Sequence, residues 1–274
     1  MRLLVVVVGL AVSGCYSLTH VQQFTAEATE TLAQGAQLEP TFYQTCQQRQ
    51  RMLLLQEGKL TRNFQEGCEL QQQADTTLIQ IREALTHYLL ALHQLVASER
   101  SSASLAPLGD ALQSHPWLAE QGDLVAAYQE LAQLSLTGFT ERSRRKKARE
   151  LIARANGSVQ TLLEAYQFVL NDLLVESINR QQKMHFFYSR ELLDSAQSFL
   201  EKQQVISTYM DQVLEYETQQ YRLQQYAEAL QTVGEGHEAV YQQRSDLQQQ
   251  TAIEAVVHYT SQLQRMQLLS KFNF

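Results

Sequence analysis

The sequence predicts an all-α protein, built as an elongated antiparallel bundle with long, coiled-coil-like helices. Glycine and proline are scarce, with 11 glycines and three prolines in 274 residues, and no proline follows Pro116. Glutamine, a good helix former, occurs in clusters along the chain. Apolar residues recur at helical spacing between these clusters, which favours helix over low-complexity disorder, and no period-two alternation is long enough to predict a strand.

Residues 1–14 have the pattern of a secretory leader. A positive residue precedes an apolar run from Leu3 to Val12, and small residues then lead to Cys15. A membrane-spanning helix needs roughly 20 apolar residues, and the polar segment after Cys15 begins too early for one. Residues 12–15, Val-Ser-Gly-Cys, resemble a bacterial lipobox, which implies cleavage before Cys15 and lipidation of that residue. An ordinary cleaved leader that ends near a cysteine by chance is the alternative.

A lipidated Cys15 predicts where the protein resides. Three acyl chains hold a protein stably on a membrane, since each buried methylene contributes about 0.8 kcal/mol. Tyr16 follows the cysteine where enteric lipoproteins retained in the inner membrane usually carry Asp, so the resemblance implies an outer-membrane anchor with the protein facing the periplasm. The formal net charge of −7 argues against a nucleic-acid partner and against electrostatic attachment to anionic lipid.

Residues 15–104 are predicted to form the N-terminal helices. We expect helices at His20–Ala36, Thr41–Gln56 and Thr61–Ala97, separated by breaks that contain Gly or Pro. The third helix carries a heptad stripe, which predicts that one of its faces is buried against a partner helix. This stripe consists of Leu78, Ile81, Leu85, Tyr88, Leu92 and Leu95.

Cys46 and Cys68 are predicted to form a disulfide. Their midpoint is residue 57, so a helical hairpin that turns at Glu57 and Gly58 would bring the two cysteines opposite one another. An exported chain meets an oxidising compartment, and two cysteines besides Cys15 are the number that one bridge requires. A metal site is the alternative, but the Cys-x-x-Cys or paired-histidine spacing of zinc ligands is missing. Such a bridge stabilises the fold by roughly 3 kcal/mol in the chain-entropy model.

Residues 105–122 are predicted to be an irregular connection, in which the single tryptophan, Trp117, packs as a plug. A long-helix bundle then occupies residues 123–274, either as a second domain or as one domain with residues 15–104. Asp123 is expected to cap its first helix, and a further helix resumes after Gly138. At Asn156-Gly157-Ser158 this helix either stops, with the next one capped by the serine, or continues.

Residues 158–233 contain no glycine and no proline. A single helix of this length would be about 110 Å long. Two antiparallel arms joined by a turn or kink between residues 187 and 204 suit a compact protein better. Gly234-Glu235-Gly236 is expected to end the second arm, and a last helix covers Glu238–Leu269. The apolar seams that support this division are Val159, Leu162, Tyr166, Val169 and Leu173, then Ile206, Tyr209, Val213, Tyr216, Leu223 and Leu230, then Val256, Tyr259, Leu263 and Met266.

Several of these features together resemble a group of uncharacterised helical lipoproteins of Gram-negative bacteria, and the likeness covers most of the mature chain. It implies a helical fold and an envelope location, and it carries no activity. The features are the lipobox cysteine, the Cys46 and Cys68 pair, Leu85-x-x-Tyr88-x-x-Ala91-Leu92, Arg144-Arg145-Lys146-Lys147-Ala148-Arg149 followed by Ala155-Asn156, and Gly234-Glu235-Gly236-His237.

The basic run near residue 145 is the strongest charge cluster. On a helix, Arg142, Lys146 and Arg149 share a face with Arg145 beside them, so they form either a patch for an anionic partner or an ordinary solvated face. The seven histidines are scattered without metal-ligand spacing, and His237 is expected at a helix junction, either as an exposed imidazole or as part of a plain turn.

The sequence contains no recognisable catalytic constellation, so we expect a protein that is not an enzyme and that needs no cofactor or metal. Long heptad seams beside a lipid anchor favour a scaffold or adaptor for an envelope assembly, which contacts protein partners through its helices. The alternative is a carrier that holds a lipid or a small apolar ligand between the helices.

Overall fold

The computed structural model describes residues 18–59, 66–97, 126–127, 129–130 and 144–272, with side chains at all of these positions except 144–145 and 269–272. Throughout these ranges the chain is helical or turn, and it forms no strand. The all-α prediction is therefore confirmed. The predicted lipidation site Cys15 and the connection 105–122 lie outside the described residues, as does Arg142 of the basic run.

Seven α-helices account for most of the described chain. A 3-10 turn, Gly35–Gln37, follows the first helix, and a π-helical turn, Val169–Leu174, joins the fourth helix to the fifth. The helices are α1 (Thr19–Gln34), α2 (Phe42–Gln56), α3 (Glu69–Val96), α4 (Arg144–Phe168), α5 (Val175–Ser195), α6 (Phe199–Gln242) and α7 (Gln250–Phe272).

The start of α2 is fixed both locally and by α3. The Thr41 hydroxyl accepts a hydrogen bond from the Gln44 backbone N–H, and the Gln44 side chain accepts one from the Thr41 N–H, which is a capping box. Asp75 on α3 accepts hydrogen bonds of 2.9 Å from the N–H groups of Phe42 and Tyr43. Four N–H groups at a helix start lack partners within the helix, so these bonds satisfy α2 and orient it against α3.

Cys46 and Cys68 form the predicted disulfide, with Cα atoms 5.8 Å apart. The predicted start of the third helix at Thr61 is wrong, because residues 66–67 form a turn and α3 begins at Glu69. Gly67 has φ +79° there, a left-handed conformation that glycine adopts without the Cβ penalty. The bridge therefore joins the second turn of α2 to the residue that precedes α3.

The core lies among α1, α3, α4, α7 and the second half of α6. Helix α1 runs antiparallel to α6, because Phe24 lies against Gly236 while the Tyr226 hydroxyl donates a 3.4 Å hydrogen bond to the Leu32 carbonyl. One continuous cluster of buried apolar side chains extends from Leu18 to Leu263, so both predicted parts of the chain contribute to the same core.

The predicted seams of α3 and α4 face this core, with one exception. On α3 the stripe from Ile81 to Leu95 is buried, and Leu78 is half-buried. On α4 the seam is buried as far as Val169, but the predicted member Leu173 is exposed. The π-helical turn explains this correction, because its extra residue rotates the following positions and turns Leu174 inward instead.

The helix boundaries confirm that residues 158–233 form two long helical segments, and they correct the predicted end of the second one. Helices α5 and α6 are separated at Ala196–Ser198, inside the predicted window. Helix α4 continues through Asn156-Gly157-Ser158, which was the second of the two alternatives there. The predicted end at Gly234-Glu235-Gly236 is wrong, since α6 runs on to Gln242 and α7 begins at Gln250.

Helices α5 and α6 form an antiparallel hairpin, and the part that projects beyond the core, residues 182–215, is called the arm. Helix α2 packs against the base of this hairpin: Ser177 and Gln181 on α5 hydrogen-bond to Thr45. Near the same level His185 contacts the rings of Tyr209 and Tyr216, with centroids 5.9 and 6.2 Å apart. None of the helices in the described ranges combines the length and the apolar character needed to cross a membrane.

Candidate interaction surface and buried polar network

The first described residues and the arm lie at opposite ends of α6. Leu18 is buried in the core, and His20 contacts the backbone of Leu247, just beyond the C-terminal end of α6. The arm ends at Ser198, which caps the N-terminal end of α6 with a capping box to Glu201. A helix of 44 residues is about 66 Å long, so this distance separates the N-terminal end of the bundle from the arm tip.

The arm exposes large apolar side chains along one sector of α6. Phe199, Ile206, Met210 and Leu214 follow one another at intervals of seven, four and four residues, which places them within about 80° around the helix. Their exposed fractions are 76%, 47%, 60% and 62%. Phe186 and Phe187 on α5 are 45% and 57% exposed, and the Phe186 ring lies 6.0 Å from Tyr209 of α6. These six residues are called the arm stripe.

At the base of the arm, helix α2 lies on the side of α6 opposite to the arm stripe. Glu215 and Gln219 line a cavity of about 590 Å³ together with Gln44 and Gln48 of α2. Ile206 and Met210 each lie nine residues before one of these two positions, which is two and a half turns. They therefore point away from α2, and no described helix packs over them.

A buried chain of hydrogen bonds crosses the core at His237. The ring Nε2 lies 2.6 Å from the Tyr88 hydroxyl of α3, and Nδ1 lies 2.9 Å from the Asn156 Oδ1 of α4. The Asn156 amide donates a 2.7 Å hydrogen bond to the carboxylate of Glu238, which also accepts one from Gln242. The chain therefore ties α3, α4 and α6 together at one level.

Burial sets the protonation states of His237 and Tyr88 in this hydrogen-bonded network. His237 is fully buried, and the loss of hydration lowers its pKa to about 4. Burial likewise raises the pKa of Tyr88 far above its usual range, while the hydrogen bond from Asn156 lowers the pKa of Glu238. A neutral imidazole has one N–H, and Asn156 Oδ1 can only accept, so Nδ1 carries that hydrogen and Nε2 accepts from Tyr88. Because His237 is fully buried and its ring nitrogens are both hydrogen-bonded, we interpret these residues as a structural network.

The glycines before His237 allow this close packing. A Cβ on Gly236 would lie 2.3 Å from Cε2 of the buried Phe24 ring, and one on Gly234 would lie 3.2 Å from the Gln160 side chain. Gln160 also donates a 3.0 Å hydrogen bond to the Gly234 carbonyl. The motif Gly234-Glu235-Gly236-His237 is therefore an inter-helix packing motif inside α6. Both predicted settings for His237, an exposed imidazole and a plain turn, are wrong.

Only part of the basic run lies within the described residues. Lys146 and Arg149 are exposed on α4, Lys146 pairs with Glu150 at 3.8 Å, and the side chain of Arg145 is not among those described. Arg244, far away in sequence, lies beside Lys146 and Arg149 and adds a basic side chain to this surface. Its guanidinium stacks on Tyr241 with 4.1 Å to the ring centroid. The sequence pattern did not indicate Arg244, because only the packing of α6 beside α4 brings it near.

Three of the other described histidines, His20, His93 and His185, are partly or largely buried. His93 lies 3.1 Å from both the Thr25 hydroxyl and the Gln22 carbonyl, so it joins α3 to α1. Burial lowers the pKa of His20 and of His185. In the part of the chain that the structure describes, no three His, Cys, Asp or Glu side chains come together as a metal site would require.

The arm stripe is the surface that sequence reasoning missed. Ile206 was assigned to the inward seam together with Tyr209 and Val213, yet it is exposed. The signal was present in the sequence, because the apolar positions of residues 199–214 cover a sector of about 180°, which is broader than contact with one neighbouring helix requires.

Comparisons with protein-family models, with curated proteins and with solved structures found no match for this chain.

Proposed function

We propose that this protein is an outer-membrane-anchored periplasmic lipoprotein that acts as a scaffold or adaptor and contacts its partners through the arm. The observation that carries the proposal is the separation of the two ends. The N-terminal end of the bundle, next to the predicted lipid anchor, lies about 66 Å from the arm tip along α6.

The segment between Cys15 and α1 is short, so the predicted lipid anchor and the N-terminal end of the bundle lie close together. Only Tyr16, Ser17 and Leu18 stand between Cys15 and Thr19, so at roughly 3.5 Å per residue the anchor keeps the N-terminal end of the bundle close to the membrane. The arm stripe then lies far from the lipid surface. A surface on which six large apolar side chains are each at least 45% exposed is typical of a protein–protein contact.

The composition of the arm supports a protein partner over a lipid one. Residues 182–215 contain three basic and five acidic side chains. Helices that lie on membranes carry basic residues that attract anionic lipid, and an acidic arm lacks that attraction.

The anchor is tested at Cys15. Replacing it (Cys15→Ala) is expected to abolish fatty-acid labelling and to release the protein from the membrane fraction, with Cys46→Ala as the control that keeps the label. Labelling that persists in Cys15→Ala would refute the anchor.

The contact surface is tested by site-specific photo-crosslinking in intact cells. A photoreactive side chain at Leu214 is expected to give discrete adducts, while one at Thr208, exposed on the opposite side of the same helix, is expected to give none. Equal labelling at both positions, or no adduct at either, would count against a contact function for the arm.

The carrier alternative receives less support from the described residues. The cavity of about 590 Å³ beside α2 has a mixed lining, in which Leu54 and Leu55 accompany glutamine and charged side chains such as Gln47, Arg51 and Lys59. An apolar ligand is better matched by an apolar lining. Native mass spectrometry of the gently purified chain would revive this alternative if a bound lipid remained.

A further inference from the structure

Helix α6 has two adjoining apolar sectors over the length of the arm, and Ile206 and Val213, seven residues apart, lie within about 20° of one another where the sectors meet. Its inward face holds Val205, Tyr209 and Val213, which are half-buried against α5. Its outward face holds the α6 part of the arm stripe, which nothing in the described structure covers. An apolar surface this broad is typical of a helix that packs against more than one neighbour.

The arm stripe is large enough to form a stable interface. With roughly 200 Å² for each fully exposed large side chain, the exposed fractions of its six residues amount to roughly 700 Å². The largest apolar patch on a typical monomer is about 300–600 Å², and each partner in a specific interface contributes about 800 Å². Polar side chains at the edges of the stripe supply the remainder.

The charge pattern suits a surface that meets its own copy. Between Phe199 and Leu214 the outward sector of α6 contains only Gln203 and Ser207 besides the apolar residues, and neither is charged. Two copies of an acidic protein repel one another at charged surfaces, but an uncharged stripe avoids like-charge contacts. Symmetric pairing through one self-complementary patch is also the commonest form of assembly.

We propose that the arms of two copies of this chain pack side by side through the arm stripe, so that the two hairpins form a four-helix bundle. The pairing is parallel, because both N-terminal ends must reach the same membrane. This orientation rests on the proposed function, whereas the pairing itself does not. In a parallel pair related by a twofold axis along the arms, each α6 stripe residue faces the same residue of the other copy.

Cysteine crosslinking of the full chain in isolated membranes tests the pairing. Met210→Cys and Phe199→Cys are each expected to give a dimer of twice the chain mass with a short bismaleimide. Thr208→Cys, exposed on the opposite side of α6, is the matched control and is expected to remain monomeric. Positions 199 and 210 lie about 16 Å apart along the helix, so an antiparallel pair brings at most one of them against itself.

Each other result overturns the proposal in a different way. Dimers from only one of the two stripe positions would show an antiparallel pair, which also contradicts a common membrane anchor. An adduct of another mass would identify a different protein as the occupant, which contradicts the pairing while it supports the contact function proposed for the arm. Equal dimers from Thr208→Cys would indicate random collision. Absence of any dimer would refute the pairing. Repeating the experiment with Cys15→Ala separates failure of the anchor from failure of the pairing.

A charge placed in the stripe gives a second, independent measurement. In light scattering of the purified full chain in mild detergent, wild type is expected to be dimeric and Met210→Glu monomeric at the same concentration, with a dissociation constant raised at least about tenfold. Thr208→Glu is expected to remain dimeric. Both variants should keep the thermal transition of the bundle by circular dichroism, since both sites are exposed. A monomeric wild type, or a dimeric Met210→Glu, would overturn the proposal.

Discussion

The two halves of α6 share one continuous backbone and differ in their surroundings. From Phe199 to Glu215 no residue is buried, whereas thirteen residues from Tyr216 to Val240 are. The second half packs among α1, α3, α4 and α7, while the first has α5 beside it and α2 only near its base. Apolar residues at helical spacing occur in both halves, so the number of neighbouring helices, and not the local sequence, decides which of them form core.

We expect removal of an apolar side chain to lower the free energy of unfolding by very different amounts in the two halves of α6. Leu223 is completely buried, so Leu223→Ala is expected to lower the free energy of unfolding by about 3 kcal/mol through lost transfer energy and a residual cavity. Met210→Ala removes an exposed side chain and is expected to change this free energy by less than about 0.5 kcal/mol in the monomer. Urea titration at low protein concentration measures both. Similar losses would show that the first half is covered in solution.

Acidification is expected to weaken the buried half selectively. His237 has a pKa of about 4 in the folded protein and about 6.5 when unfolded, so the unfolded state binds the proton first as the pH falls. Stability is therefore complete above pH 6.5 and is lost between about pH 6.5 and 4, by roughly 3 kcal/mol for this group.

The variant His237→Gln separates this group from the carboxylates. It is expected to be less stable than wild type at pH 7, because Tyr88 and Asn156 lose well-placed partners, and to lose less further stability down to pH 4. Urea titrations at several pH values give both quantities. Parallel pH curves for the two proteins would mean that His237 does not carry the acid sensitivity.

Close packing at Gly236 gives the next largest effect. Gly236→Ala places a methyl group against the rigid Phe24 ring, and the overpacking is expected to exceed the gain in helix propensity, for a net loss of about 2 kcal/mol. Gly157→Ala is the matched control, since its Cβ meets nothing within 4 Å and the substitution should stabilise α4 by about 0.5–1 kcal/mol. Thermal unfolding measures both, and a stabilised Gly236→Ala would contradict the packing at α1.

The smallest effect is expected at the arm tip. Ser198→Ala removes the hydroxyl that accepts from the Glu201 N–H and breaks the capping box, at a cost of about 1 kcal/mol. Because the arm lies beyond the core, this cost should appear as faster amide hydrogen exchange near residues 199–205 and not at residues 223–240. Uniformly faster exchange in both halves would show that α6 unfolds as a single unit.

Particular residues show how far the sequence predicts this molecule. The α3 stripe follows from local pattern, because its residues lie within a few turns of one another. The break before Phe199 was predicted only as a window, residues 187–204, since no glycine or proline marks it. The disulfide was predicted from composition and compartment, although the turn at Gly67 differs from the expected hairpin. The π-helical turn escaped prediction, since the apolar pattern on either side of it also fits an uninterrupted helix.

The exposure of the arm stripe and the polar network around His237 could not be predicted from the sequence, because both depend on how residues that are far apart in the chain pack together. His237 meets Tyr88 and Asn156 across separations of 149 and 81 residues, and no local pattern records such pairs. The glycines beside it predicted a helix end by propensity, but close contact with Phe24 outweighs that propensity.

The sequence by itself determined the helical class, the window at residues 187–204 that contains the turn between the two long helices, and the pairing of the two cysteines. These follow from short-range periodicity, from the length that a helix has in a compact protein and from a cysteine count. Only the tertiary structure decided which apolar stripes form the core and which remain exposed on the arm. Burial depends on how many helices surround a position, and that number is a property of the whole assembled bundle.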